Sequence, residues 1–380
     1  MCYFGTYRKE YARNKIIIAA LEKSGNEVVQ CHAKLWYGIQ DRIDTVQGGW
    51  RKPKFWWRVL KTYLKLIWSF RNVGDFDILM VGYPGQFDVF LAKLLAILKG
   101  KPLVWDVFMS VFLIASERGL KKDHRLILSL IRWVEYTGLR LPDMLIQDTK
   151  EYVLWFENEY KISRRHFRLV PTGADDRIFK PSIAFIKKQS NNFLVLYYGS
   201  FIPNHGVMKI AEAIKLLETR NDISFQFIGE GPEKLALQTY IQEHNIENVE
   251  IFGWMSQNNL VEQIAKADIC LGVFGKTPQS LMTVQNKIYE CLAMGKPIIT
   301  GDSLAIRNAL PPHTVVLCER SNPNDISNAI IELKNNPEKR RLLSKNAEII
   351  FNNNYNIEKL GEKITDHLSE LISSPNNHGK

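Results

Sequence analysis

At 380 residues the chain exceeds the ~250–300 residues at which one hydrophobic core stops growing, so two domains are expected. Its 46% hydrophobic and 24% charged residues are globular composition, excluding wholesale disorder, and no apolar run reaches the roughly 20 residues of a bilayer-spanning helix. Fifty Lys and Arg against forty Asp and Glu leave a net charge of +10, which points to a polyanionic ligand or an anionic surface.

The opening segment, MCYFGTYRKEYARNK, lacks the basic-then-apolar layout of a secretory signal. Cys2–Gly5 reads as a strand, the polar loop Thr6–Arg13 breaks it, and Asn14–Ser24 repeats apolar residues at helical spacing. Gly25 and Asn26 stop that helix before a second strand, Glu27–Cys31. Asp77–Val81 is a buried strand closed by the turn Gly82–Gly85. Helix Asp88–Lys99, strand Pro102–Trp105 and, after a long helical region, strand Met144–Gln147 complete the first half.

Turn chemistry at Val170–Asp175 and the polar, unpatterned stretch Ser182–Asn192 mark a linker. A second alternation follows: strand Phe193–Tyr198, helix Val207–Glu218, strand Ser224–Ile228, helix Glu233–His244, strand Val249–Phe252. Helix Leu260–Ala265, strand Asp268–Val273, helix Asn286–Met294 and strand Pro297–Thr300 finish the second core, and a terminal helix, Ile357–Leu371, follows. Short apolar strands alternating with helices predict an α/β protein of two doubly wound domains facing a cleft. The expected division is 1–171, a linker 172–192, 193–351, and a C-terminal segment 352–380. The five cysteines (Cys2, Cys31, Cys270, Cys291, Cys318) are scattered without CxxC spacing, so no disulfide framework or zinc site is expected, and the protein reads as reduced and cytoplasmic.

In such sheets ligands sit beyond the carboxyl ends of strands, where glycines admit close approach and helix N-termini attract anions. Four loops fit. Gly5 with Arg13 and Asn14, between the first strand and helix, would suit a phosphate, although a turn glycine and a surface arginine read the same way. In Gly199-Ser200-Phe201-Ile202-Pro203-Asn204-His205-Gly206, Ser200 and His205 are donors beside a helix start, a reasonable diphosphate site unless the histidine is merely solvated. Phe227-Ile228-Gly229-Glu230-Gly231-Pro232 is a glycine turn after a strand, and is neither GxGxxG nor a Walker loop. In Val284–Glu290, Lys287 and Glu290 are three apart and share a helix face, with Asn286 before them. A cation at a helix start is opposed by the dipole unless an anion joins it, so Lys287 argues for a bound phosphate, against a plain intrahelical ion pair.

The segments YYGSFIPNHGV, FIGEGPE, VEIFGWM and ADICLGVF, then NKIYECLAMGKPIIT, come in an order and spacing that resembles the nucleotide-sugar glycosyltransferases of the GT-B fold, specifically retaining family 4. VPTGADDRIFKP is similar to that family's interdomain signature, and the resemblance runs from about Pro142 to Ile372, more loosely over the first half. It implies two Rossmann-like domains, a donor-binding C-terminal one and an acceptor-side N-terminal one, with the C-terminal helix returning toward the latter. By the resemblance Glu290 takes the place of the second acid of the E-x7-E element, which binds donor hydroxyls. The first acid is replaced by Met282, as in a subgroup carrying Asn-Lys-x-x-Glu, in which Lys287 neutralises the diphosphate. Ser200 and His205 stand where the family commonly has an arginine and a lysine. Gly253 and Trp254 resemble the segment that seats the base. Leu103–Ser110 resembles the loop facing the transferred sugar, with Asp106 as the acceptor-side polar residue or, equally, a helix cap. Implied besides are retention and no metal or other cofactor, the nucleotide-diphosphate sugar being a co-substrate.

Trp50–Arg71 (WRKPKFWWRVLKTYLKLIWSFR) is rich in Lys, Arg and aromatics and contains no acid. As a helix it places Trp57, Leu60, Leu64, Ile67 and Trp68 on one broad face with cations on the flanks, the pattern of an interfacial helix on anionic lipid. A core helix with snorkelling lysines is the plainer alternative, and no nucleic-acid recognition fold accompanies the stretch. The expectation is a transferase moving a sugar from a nucleotide-diphosphate sugar to an acceptor hydroxyl on a polyprenyl- or lipid-linked or surface-polysaccharide intermediate. It would be peripheral at the inner face of the cell membrane. A catalytically silent subunit docking a partner enzyme and a non-hydrolysing nucleotide-sugar epimerase stay open.

Overall fold

The computed structural model describes residues 1–35, 37, 52–118, 125–181 and 192–373. Most of the expected linker stretch 182–192 lies outside them, as do Trp50 and Arg51 of the basic aromatic segment. By its contacts the chain divides into Met1–Pro171 with Leu360–Lys380, and Thr172–Lys359.

The first unit runs β1 (Cys2–Gly5), α1 (Ala12–Lys23), β2 (Val29–His32), α2 (Pro53–Phe70), β3 (Leu79–Val81), α3 (Asp88–Lys99) and β4 (Leu103–Asp106). It continues with α4 (Val111–Glu117), α5 (Arg125–Gly138), β5 (Met144–Gln147), α6 (Lys150–Tyr160) and β6 (Phe167–Leu169). Strands such as CYFG, LMV and MLIQ are short and buried throughout, as a sheet covered on both faces requires. All pairings are parallel, in the order β2-β1-β3-β4-β5-β6. The chain steps one way from β1 to β2 and the other way from β2 through β3 and β4 to β5. Right-handed crossovers therefore put α1 on one face and α2, α3 and α5 side by side on the other. Helix starts are fixed by side chains where the sequence supplies them: Ser110 accepts from the Leu113 amide ahead of α4 and Thr149 from the Tyr152 amide ahead of α6.

The second unit runs β7 (Phe193–Tyr198), α7 (Val207–Lys215), β8 (Ile223–Ile228), α8 (Lys234–Glu243), β9 (Val249–Phe252), α9 (Gln257–Lys266) and β10 (Ile269–Leu271). Then come α10 (Pro278–Met282), α11 (Asn286–Ala293), β11 (Ile298–Gly301), α12 (Leu304–Ala309), β12 (Val316–Cys318), α13 (Pro323–Asn335) and α14 (Pro337–Asn354); the last helix, α15 (Ile357–Ser373), belongs from Leu360 to the first unit. The second unit's parallel sheet has the order β12-β11-β10-β7-β8-β9. One apolar layer, with Val195, Ile210, Phe225 and Ile330, lies on one face; Leu196, Ile228, Ile288 and Ile298 belong to the other.

Three expectations change. The first sheet does not end at Met144–Gln147, because Phe167–Leu169 pairs beside it as an edge strand. The second core does not close at Thr300: β12 extends the sheet, and α13 and α14 cover it. The early part of the expected linker belongs to the second core, where Ala174 and Phe179 are buried and the Ala174 amide bonds to the Tyr355 carbonyl at 3.3 Å. From Leu360 onward α15 packs within the first unit: Gly361 lies against the Ala20 carbonyl, and Asn26 Nδ2 donates to Thr365 Oγ1 at 2.9 Å. Among the described residues no helix is long and apolar enough to cross a membrane.

Candidate functional site

In the second sheet the strand order reverses between β7 and β10, the point where an open parallel sheet leaves a crevice beyond its carboxyl ends. The loops leaving those two strands are tied together. The Phe274 amide donates to the His205 carbonyl at 2.9 Å, Ser280 Oγ to the Asn204 carbonyl at 2.7 Å, and Asn204 Nδ2 to Gln279 Oε1 at 2.9 Å.

Two glycines are required here. Gly199 has φ +134°, and a Cβ on it would sit 2.9 Å from Lys287 Nζ and 3.7 Å from His205 Cε1. Gly229, φ +150°, packs its backbone so closely on that loop that a Cβ would lie 1.9 Å from the Gly199 carbonyl oxygen. The two glycine turns recognised in the sequence thus form one backbone cradle, with the lysine and histidine against it.

Lys287 is on the first turn of α11. Its Nζ is buried, has no hydrogen-bond partner, and lies 3.9 Å from the centroid of the Tyr197 ring. The intrahelical pair with Glu290 is therefore not formed. Burial holds the amine down to about 7, while the Cys291 thiol and Glu290 act in the opposite direction. Burial likewise pushes Glu290, half-buried one turn later, up to about 7, with the Tyr198 hydroxyl and Lys287 opposing. Tyr198 pins this turn by donating to the Lys287 carbonyl at 3.2 Å. The start of α11 has no side-chain cap: Gln285, at the cap position, turns its amide to Thr283 Oγ1 at 3.0 Å. Asn286 is the half-buried first residue of the helix, so its uncapped amides and a buried amine lie within one turn.

His205 ends a short turn immediately before α7, whose start is also uncapped. Its Nδ1 is 2.9 Å from the Tyr197 hydroxyl, whose single proton goes either to that nitrogen or to the Ser200 carbonyl at 3.1 Å. Burial, reinforced by Lys287, keeps the imidazole well below its usual value, so it is neutral. It can give a hydrogen bond to an anion only from Nε2–H, in the tautomer in which Tyr197 donates to Nδ1. Ser200 is half-buried on the same loop. Gly253 and Trp254 follow edge strand β9; Trp254 is 55% exposed, and β9 joins the cradle through the Gly229 amide, which bonds to the Phe252 carbonyl at 3.0 Å.

In the first unit the expected site residues are occupied by one another. Arg13 and Asp106 are both fully buried and paired at 2.9 Å, and Arg13 also donates to the carbonyls of Val170 and Pro171 at 2.8 and 2.9 Å. Neither the phosphate contact read for Arg13 nor the acceptor contact read for Asp106 is open, because each charge is neutralised inside the core. Asn14 is fully buried, its amide donating to the carbonyls of Arg8 and Tyr83 and its oxygen accepting from Tyr3 and the Tyr83 amide. Gly5 does admit an anion, but the anion is the chain's own. A Cβ there would meet Asp88 Oδ2 at 2.6 Å, and that carboxylate accepts from the Thr6 amide at 2.6 Å and from the Tyr63 hydroxyl at 2.8 Å.

Sequence reasoning missed Tyr197, Arg320 and Asp148. Arg320, 4% exposed, donates to the carbonyls of Asp302 and Gly275 at 2.6 and 2.8 Å and to Ser280 Oγ at 2.9 Å, holding the loop that meets His205. Burial lowers it to about 10, with Asp302 opposing. Asp148, beside Arg13 and Asp106, has both carboxyl oxygens buried without partners, and burial pushes it up to about 7 against the pull of Arg13. Only the Tyr197 ring had a sequence signal, as the last inward residue before the Gly199 turn. Among the described residues no group of three or more His, Cys, Asp or Glu side chains could hold a metal ion.

Residues 179–350 match the family model described as glycosyl transferases group 1. An uncharacterized glycosyltransferase of Methanocaldococcus jannaschii is 26% identical over 179 residues, 46% of this chain and 48% of that protein. A GDP-mannose-dependent monoacylated alpha-(1-6)-phosphatidylinositol monomannoside mannosyltransferase of Corynebacterium glutamicum is 22% identical over 214 residues, 53% of this chain and 56% of that one. The chain thus spans about half the length of the curated relatives it matches. Among solved structures, Anabaena Alr3699/HepE in complex with UDP superposes with a TM-score of 0.71 at 14% identity, covering 97% of this chain and 98% of that one. A glycosyltransferase of Rickettsia africae gives 0.67 at 13%, covering 98% of both chains. Sucrose-phosphate synthase of Thermosynechococcus elongatus gives 0.66 at 17%, covering 82% and 79%. At these identities the likeness establishes the fold: two Rossmann-like parallel α/β units of the GT-B type.

Proposed function

We propose that this chain is a glycosyltransferase that moves a sugar from a nucleotide-diphosphate sugar to an acceptor hydroxyl, with retention and without a metal. The carrying observation is the buried Lys287 amine, which has no hydrogen-bond partner and stands with His205 against Gly199 at the strand-order reversal. A buried amine without a partner, held near neutrality by burial, is costly to charge without an anion and strongly favoured with one. Two uncapped helix starts beside it supply further amides for a diphosphate. The group 1 family match over residues 179–350 supports the same reading, as does the UDP held by the Anabaena structure of the same fold.

In this reading the bond between the sugar's anomeric carbon and the diphosphate oxygen breaks as the sugar acquires oxocarbenium character, and negative charge grows on the leaving group. Lys287, protonated when the diphosphate arrives, the Nε2–H of His205 and the amides at the starts of α7 and α11 meet that charge where it develops. Tyr197, by turning its hydroxyl proton to Nδ1 rather than to the Ser200 carbonyl, leaves Nε2 protonated, and Arg320 holds the loop behind it. The acceptor's proton passes to the departing diphosphate. Glu290 and Asn286 serve the donor's hydroxyls, Ser200 and Gly229 its phosphates, and Gly253 and Trp254 its base.

The acceptor is read as lipid-linked or a surface-polysaccharide intermediate. Support comes from the phosphatidylinositol mannoside named for the Corynebacterium relative and from α2, whose Trp57, Leu60, Leu64, Ile67 and Trp68 all face outward. The enzyme would then work as a peripheral protein at the cytoplasmic face of the membrane. The test is a screen of nucleotide sugars by thermal shift: a stabilising donor is expected, and its effect should vanish in Lys287→Ala.

A further inference from the structure

The outward face of the first unit carries more apolar surface than α2 alone. α3 leaves Leu94 55% and Ile97 66% exposed, and α5 leaves Leu130 58% and Trp133 60% exposed. Each pair is three residues apart and so lies on one helix face. On α2 the counterparts are Trp57 and Trp68, at 58% and 66%. The three helices share one face of the sheet and touch in sequence. Tyr63 of α2 donates to Asp88 of α3 at 2.8 Å, and Gly138 of α5 lies where a Cβ would be 3.1 Å from Val89 of α3. These inner contacts seat the three helices side by side with their outer stripes on the same side of the sheet. Their charge is one-sided. The only acids in the three helices, Asp88 and Glu135, are 1% and 0% exposed, so every exposed charge the helices carry is positive. Two of those cations, Lys93 and Arg132, meet acids outside the helices, Asp143 at 3.5 Å and Glu159 at 2.8 Å.

We propose that α2, α3 and α5 together form a docking face that lies flat on an anionic phospholipid bilayer, with Trp57, Trp68, Leu94, Ile97, Leu130 and Trp133 entering the interface. Exposed apolar stripes of this extent mark interaction surfaces, and cations without exposed acids select a negatively charged partner. Helices lying in the interface bury their apolar face while basic side chains reach the headgroups. The inference rests on the membrane reading above and extends it from one helix to a plane, which fixes how the first unit is oriented on the bilayer.

The test is vesicle flotation of the full chain with phosphatidylcholine alone and with phosphatidylcholine containing phosphatidylglycerol. The pairs compared are Trp57→Glu/Trp68→Glu, Leu94→Glu/Ile97→Glu and Leu130→Glu/Trp133→Glu. All six positions are exposed, and unchanged thermal unfolding verifies the fold. The parent is expected to float with anionic vesicles only, and each pair to lower the bound fraction at least roughly tenfold. Lys61→Glu/Lys65→Glu, which spares the apolar face, should weaken binding and its response to anionic lipid. If the α3 and α5 pairs float like the parent while the α2 pair does not, the three-helix face is wrong and the single-helix membrane contact stands. If the parent does not float at all, both fail. If the parent is a dimer that the α5 pair converts to monomer, the face is an interface between copies and the proposal is overturned.

Discussion

Lys287 and His205 converge on the backbone of Gly199: a side chain there would meet the lysine amine at 2.9 Å and the imidazole at 3.7 Å. Lys287 is buried and His205 half-buried, and both are held toward their neutral forms. A pocket that suppresses its own charge binds an anion by gaining a proton as it does so, and this determines how the site should respond to pH.

The lysine sits at about 7 in the folded chain, against ~10.4 when unfolded. Between those values the unfolded state binds more protons, so its contribution makes stability rise with pH; the penalty is complete below about 7. A nucleoside diphosphate raises the lysine's affinity for its proton. Calorimetry near pH 8 in buffers of different ionisation enthalpy should show proton uptake on binding, and affinity should fall by up to roughly tenfold per pH unit above neutrality. Glu290→Gln should keep most of the uptake, which separates the amine from the neighbouring carboxyl. Binding without uptake would mean that the amine is already charged.

Gly199→Ala and Gly229→Ala should differ. The first places an L side chain at φ +134° against the flexible end of Lys287, at a strain cost of ~1–3 kcal/mol, and should chiefly weaken diphosphate binding. The second drives a methyl into the Gly199 carbonyl, backbone against backbone, and should lower the melting temperature more. Melting curves of the two variants give the order.

Asp106→Ala leaves Arg13 charged and buried, and should destabilise the chain by about 3–5 kcal/mol in urea unfolding. Pairing it with Arg13→Met should recover much of that loss. The folded fraction should bind a nucleoside diphosphate as the parent does, because neither residue belongs to the second unit. An unchanged melting temperature with lost turnover would instead restore Asp106 to the chemistry.

Much of this was legible in the sequence because parallel strands are short apolar runs and their ligand loops carry glycines. Phe193–Tyr198 and the Gly199 turn were read directly from that pattern. The edge strands Phe167–Leu169 and Val316–Cys318 were not, since three residues with one buried side chain leave no periodicity. Gly5 and Arg13 look like an anion site from their neighbours alone; the anions that satisfy them, Asp88 at a helix start and Asp106 at a strand end, are distant in sequence and only the fold brings them in. Arg320 has no motif around it, and its role is visible only from the loop carbonyls it holds. That His205 is neutral follows from burial, which no local pattern reports.

The most direct measurement is calorimetric binding of UDP and GDP to Lys287→Met beside the parent. Methionine keeps the volume and removes the amine that has no hydrogen-bond partner, so the unliganded variant should unfold at the same or higher temperature, by about 1–3 kcal/mol in its favour. Whichever diphosphate the parent binds should bind the variant about 10–100-fold more weakly, the worth of one charge-assisted hydrogen bond. Equal affinity in a folded variant would contradict the account.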